Sequence, residues 1–145
     1  MKENFGRDFD DQNIFSKIIK GEIPSYKVYE DEHTLVIMDI MPQSKGHLLI
    51  ITKENSATFF DLSIEAAQAC IKTAKLIAPY LMQLTKADGL IIKQFNHEVA
   101  GQTVFQVHFH LIPVYADKEM QAHARHNVDM EELKQFAEEL KNMIH

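Results

Sequence analysis

Apolar residues recur along this chain at two spacings, and the switches between them divide it into elements. Ile14, Phe15, Ile18 and Ile19 sit at helical intervals, and Gly21 and Pro24 stop the pattern, which predicts a short helix. Two runs rich in Val, Ile and Leu follow at 34–39 and 47–52. Pro42 and Gly46 lie between them, so the pair reads as an antiparallel hairpin. Helical spacing returns after Asp61, where Ser63 is the expected N-cap, Glu65 falls in the first turn, and Ala66, Ala69, Cys70, Thr73, Ala74, Ile77, Leu81 and Leu84 form one stripe. Pro79 falls inside this stripe. With no N–H to donate to the preceding turn, it is expected to bend or interrupt the helix. Asp88-Gly89 then opens a strand at 90–95, followed by a polar loop at 96–102 and a second strand at 103–114, ended by Pro113. Residues 115–127 have no period and read as irregular. A final stripe, Leu133, Phe136, Ala137, Leu140 and Ile144, stands behind Asp129 as N-cap and predicts an amphipathic helix. Helices flanking contiguous antiparallel strands make the class α+β.

Composition narrows the picture without changing it. The 145 residues, 46% of them hydrophobic, suffice for one compact domain, read as 13–145. Residues 1–12 carry Glu3, Asp8, Asp10 and Asp11 and little that packs, so they read as a flexible lead-in. A net charge of −6 argues against nonspecific binding to nucleic acid or to an anionic membrane, since both demand a positive surface. Cys70, the only cysteine, can neither close an intramolecular disulfide nor pair with a second thiolate around zinc, which fits a reducing compartment and favours the cytoplasm. The first residues lack the apolar stretch of a signal peptide, and the apolar runs stop far short of the roughly 18 residues of a membrane span.

The chemistry concentrates after Asn96. A strand alternates its faces, so Gln106, His108 and His110 share one while Val107, Phe109 and Leu111 share the other, which is wholly apolar. Two imidazoles this close are costly to charge together, so at least one is expected to be neutral near pH 7 and able to act as nucleophile, base or ligand. Just upstream, Gly101 permits close backbone approach, and Asn96, Gln102 and Thr103 offer donors suited to an anionic oxygen. Together these residues predict a phosphate site. A His-x-His pair alone decides nothing, and His33, His97, His123, His126 and His145 read as solvated surface residues.

At this point the residues resemble a known family, the histidine triad (HIT) nucleotide hydrolases and transferases. Its signature His-φ-His-φ-His-φ-φ, with φ apolar, is written here as Gln106-Val-His108-Phe-His110-Leu-Ile112, so the first histidine is a glutamine. The resemblance runs from Ile14-Phe-Ser-Lys-Ile-Ile-Lys-Gly-Glu-Ile-Pro24 through Tyr29-Glu-Asp31, Met38-Asp-Ile-Met-Pro-Gln43, Gly46-His-Leu-Leu-Ile50 and Gly101-Gln-Thr-Val104. It implies a HIT-like fold with a five-stranded antiparallel sheet and flanking helices, and a homodimer. It also implies a purine nucleotide substrate and no cofactor. The implied enzyme is a nucleotidyl hydrolase of the phosphoramidase or dinucleoside-polyphosphate-hydrolase type, acting through a nucleotidyl-histidine intermediate.

Position by position, the resemblance makes His108 the nucleophile and His110 the group that binds or protonates the phosphate and leaving group, while His47 orients the catalytic imidazole. It gives Asn96, Gly101, Gln102 and Thr103 to the phosphate, Asp39 to the ribose hydroxyls, and Ile14, Phe15, Ile18, Ile23, Ile37 and Ile40 to the base. In the zinc-binding branches of the family the metal is held by two cysteines and two histidines. Asn13, Ser16, Asn55 and Gln106 stand at those positions here, and none is a usual zinc donor, so the chain resembles the Hint-like bacterial branch lacking them and no metal is expected. Gln106 cannot relay a proton as an imidazole could, and turnover is expected to be slower than with an intact triad. Two other readings remain open on the residues: a nucleotide sensor or partner-binding module with little or no turnover, and a metal-dependent protein using His108 and His110 with His47 or His97.

Overall fold

The structure, a computed structural model, describes residues 5–118 and 128–144. His123, His126 and His145, and most of the segment read as irregular, lie outside the described residues.

Asn13 starts the first helix by accepting the N–H groups of Phe15 and Ser16 on its side-chain oxygen, at 2.9 and 3.0 Å, and helix α1 follows as Ile14–Ile19. Strands β1 (Lys27–Glu30), β2 (Thr34–Met38) and β3 (Leu48–Thr52) come next, then helix α2 (Ile64–Thr85), strands β4 (Gly89–Lys93) and β5 (His108–Val114), and helix α3 (Met130–Met143). The five strands form one antiparallel sheet in the order β1-β2-β3-β5-β4. Ser63 caps α2 through the N–H of Ala66, and Asp129 caps α3 through those of Glu131 and Glu132.

Both faces of the sheet are covered. Val36, Met38, Leu48, Ile50, Phe109 and Leu111 pack against α2 and α3, while Leu35, Ile37, Leu49 and Ile51 pack on the opposite face with Phe15 and Ile18 of α1. Burial on both sides explains why β2 and β3 read as unbroken apolar runs rather than as alternation. Among the described residues no helix is long and apolar enough to cross a membrane.

Two expectations need correction. Strand β5 begins at His108 rather than at residue 103. The Val107 backbone bonds Ser56 and Thr52, and the Gln106 side chain turns inward, so the chain bends before it joins the ladder. The strand ends at Val114, the expected bound, and accommodates Pro113 because beyond Leu111 it pairs only with β4 and needs no donor on its other edge. Helix α2 is not interrupted at Pro79, which lies on its exposed side, where water can satisfy the carbonyl that lost its partner. Periodicity also passed over β1, a four-residue strand with a register shift. Its Tyr29 and Glu30 appear only in the family resemblance, which implied the fifth strand.

Candidate active site

The site is assembled where two loops, the β2–β3 connection and the β4–β5 segment, meet the face of the sheet that carries α1. Period-two alternation on β5 puts Phe109 and Leu111 into the core beneath α2 and α3 and leaves His108 and His110 on the opposite face, their ring centroids 5.2 Å apart. His47 enters from the β2–β3 connection, directly after Gly46, which takes a φ of +92° that a side chain would strain. Asp39 ends the other arm of that connection, and its N–H bonds the His47 carbonyl at 3.0 Å.

Fixed donors and acceptors assign the imidazole tautomers. The Gln43 N–H donates to His47 Nδ1 at 3.0 Å, so the ring hydrogen of His47 is on Nε2. That nitrogen is 2.9 Å from His110 Nδ1 and 3.3 Å from an oxygen of Asp39, both of which can accept. His110 Nδ1 therefore accepts, and its hydrogen sits on Nε2. His108 has the reverse arrangement. Its Nδ1 lies 2.7 Å from the Gln106 carbonyl, an acceptor only, so Nδ1 carries the hydrogen and Nε2 keeps its lone pair. Burial disfavours the imidazolium and pushes the His108 pKa below 6.5, against the opposing pulls of the Gln106 carbonyl and the Asp39 charge. A neutral nucleophilic nitrogen thus stands beside an N–H donor.

These two rings line a pocket of about 160 Å³ with Gln43, Lys93, Phe95, Gly101 and Thr103. Of the residues expected at a phosphate, Gly101 and Thr103 are in its wall. Gln102 is not: its buried amide donates to the Ala57 and Val104 carbonyls and accepts the His97 N–H, which braces the loop from behind. Asn96 is half-buried, donating to the Gln94 side chain and accepting the Phe59 N–H. Asp39 is buried, with one oxygen on the Met41 N–H and the other toward His47. Among the residues expected at the base, Phe15, Ile18, Ile23 and Ile37 pack together, and Phe15 sets its edge against His108 at 4.8 Å; Ile14 and Ile40 are exposed.

The residues at the family's zinc positions do not fit that ion. Ser16 donates to the Gln106 side-chain oxygen at 2.6 Å, the Gln106 amide donates to the Thr52 carbonyl at 2.7 Å, and Asn13 donates to Ser16 at 3.1 Å, while Asn55 is exposed. Neutral groups spent on one another offer no anionic donor set. The donors that do converge are Asp39, His47 and His110, within 4.8 Å of one another, rather than His108 with His97. His97 stands in the loop against the Phe60 ring. Cys70 is buried in α2 with its thiol pushed up to about 11 by burial, so it is no nucleophile.

Three residues that line the pocket escaped the sequence reading: Gln43, Lys93 and Phe95. The available signal was a lone charge inside the apolar run Leu90-Ile-Ile-Lys-Gln-Phe95. The lead-in is also engaged, for Phe5 packs on Phe60 and Arg7 reaches Glu98 and the Phe105 ring, both in the segment between β4 and β5.

The HIT domain family model matches residues 20–117. An uncharacterised HIT-like protein of Methanocaldococcus jannaschii is 43% identical over 122 residues, 83% of this chain and 94% of that one. An adenosine 5′-monophosphoramidase of Saccharomyces cerevisiae is 40% identical over 105 residues, 72% of this chain and 64% of that one. Among solved structures, a Hit-like protein from Bartonella henselae described as involved in cell-cycle regulation superposes with a TM-score of 0.89 at 36% identity, covering 95% of this chain and all of the other.

Proposed function

Because this chain belongs to the HIT domain family, we propose that it is a nucleotidyl hydrolase that cleaves at the α-phosphate of purine nucleotides through a covalent intermediate on His108. One observation carries the reading: His108 donates its Nδ1 hydrogen to the Gln106 carbonyl, which leaves the Nε2 lone pair toward a pocket lined by Gly101, Thr103 and His110. In the first step Nε2 attacks the α-phosphorus as the bond to the leaving group breaks. His110 holds a hydrogen on Nε2 for the departing atom, and its Nδ1 is steadied by His47. Water then attacks the same phosphorus, the P–N bond breaks, and the nucleoside monophosphate is released. Asn96, Gly101, Gln102 and Thr103 form the phosphate loop, with Gln102 as its brace. Asp39 is the acceptor for the ribose hydroxyls, and the base lies along Phe15, Ile18, Ile23 and Ile37, with Ile14 and Ile40 at the rim. The phosphoramidase relative supports adenosine phosphoramidates as substrates.

The working form in this reading is a cytoplasmic homodimer. β4 is an edge strand, and exposed Ile92 and Ile71 flank an apolar groove between β4 and α2, features that favour a covering partner. The test of the chemistry is incubation with adenosine 5′-phosphoramidate. The wild type should release AMP, and His108→Ala should lower the rate by about a thousandfold or more, as expected for loss of a nucleophile. Equal rates for wild type and variant would refute the covalent mechanism.

A further inference from the structure

The wall of the histidine pocket holds a charge that the chemistry above does not use. Lys93 ends β4 directly opposite His110 in the β4–β5 register, so its side chain rises on the same face as the imidazoles. Its ammonium stands 5.1 Å from the centre of the Phe95 ring and donates to the Gln43 side-chain oxygen at 3.2 Å. Phe95 also packs on His110 and lies beneath Gly101, so one ring supports the lysine, an imidazole and the loop glycine. Among the described residues no carboxylate pairs with Lys93, and of those lining the pocket it alone carries a fixed charge. An ammonium has three donors, and the Gln43 oxygen occupies one.

Position in the sheet says which part of a substrate meets this charge. The apolar cluster with Phe15 flanks His108 on the α1 side, and β4 with Lys93 lies beyond β5 on the other flank. In-line displacement sends the leaving group away from His108 Nε2, hence toward His110 and Lys93. We propose that Lys93 selects substrates in which the leaving group is itself anionic: a second phosphoryl group joined to the nucleotide α-phosphate as an anhydride. The inference rests on His108 as nucleophile. When the bridging P–O bond breaks, its electron pair stays on the oxygen of the departing phosphate, and the Lys93 ammonium offsets that charge as it grows. His110 supplies the proton that the departing group requires. Water later restores the proton and completes the exchange, so the sum is anhydride plus water giving two phosphates. An amine leaves neutral after protonation and gains nothing from the cation.

The experiment compares kcat/KM for diadenosine triphosphate and adenosine 5′-phosphoramidate in the wild type, Lys93→Met and Lys93→Arg. The ratio of anhydride to amidate should fall about tenfold or more in Lys93→Met and recover in Lys93→Arg. Calorimetry on the same proteins, which needs no turnover, should show wild type holding ADP about tenfold tighter than AMP, with the difference lost in Lys93→Met. An unchanged ratio together with an unchanged ADP preference would overturn the proposal, as would equal losses for both substrates and both nucleotides. Should wild type and His108→Ala both fail to release AMP from either substrate, the nucleotidyl-transfer reading fails while the ADP-against-AMP measurement still decides the role of Lys93.

Discussion

In the proposed reaction His108 can attack only while its ring is neutral, and its surroundings favour that form. Burial lowers its pKa below 6.5, so the acid limb of the pH–rate profile should lie below that value, not at it. The same shift is a stability statement. Just under pH 6.5 the unfolded chain takes up a proton that the folded chain refuses, so this contribution is fully present above 6.5 and is lost as pH falls toward the depressed pKa. Urea unfolding on both sides of pH 6.5 should show it, and His108→Gln should flatten that part of the dependence. Gln106 is the neighbouring case. Its amide joins Ser16 of α1 to the Thr52 carbonyl of β3 inside the protein. Gln106→Leu takes this donor from the buried Thr52 carbonyl and the acceptor from the Ser16 hydroxyl hydrogen, while Asn13 still donates to Ser16, and a loss of about 1–3 kcal/mol is expected in the same urea titration. The histidine pair itself was legible, because alternation on a strand needs only neighbouring residues. The tautomers were not. They depend on how each ring is turned: His108 toward the Gln106 carbonyl, His47 toward the Gln43 N–H, and His47 against His110 across 63 residues of chain, orientations that only the folded backbone fixes.

Elements were readable where one period persisted for several turns or where both faces were apolar. Helix α2 and α3, with the caps Ser63 and Asp129, and the pair β2–β3 were legible for that reason. β1 was not, since four residues of mixed burial carry no period, and residues 103–107 alternate like a strand although the Val107 backbone bonds Thr52 at the end of β3 and Ser56 beyond it. The turn between β2 and β3 has the tightest requirement at this scale. Gly46 combines its positive φ with a neighbourhood in which an added Cβ would lie 2.8 Å from Thr85 Cγ2, 3.1 Å from Pro113 and 3.3 Å from Phe136. Gly46→Ala should therefore cost about 1–3 kcal/mol, from backbone strain and overpacking together. His47 follows immediately, so misplacement of the turn should also lower kcat through His110. A variant of full thermal stability would refute the steric argument.

At the scale of the whole molecule, sheet order is what brings the site together, and no local pattern contains it. The sequence pattern gave strands and, across the β2–β3 turn, one pair of neighbours, but not the rest of the order. The order β1-β2-β3-β5-β4 sets His110 between Leu49 and Lys93, and it leaves β4 at an edge with unpaired backbone groups. An edge strand that also exposes Ile92, more than half accessible, beside Ile71 and the groove lined by Ala74, Ala78, Pro79 and Met82 is a surface at risk of indiscriminate pairing unless something specific covers it. A second copy meeting the first through a twofold axis would bury each such surface against its equivalent, so any substitution there enters the interface twice. Ile92→Arg is the sharper choice, since it adds a charge beside Lys75 of the same groove and, being at an exposed site, leaves the core intact. Sedimentation should find the wild type as a dimer at micromolar concentration and Ile92→Arg shifted toward the monomer, with circular dichroism unchanged. A wild type that sediments as a monomer would remove the reason for the apolar groove offered here.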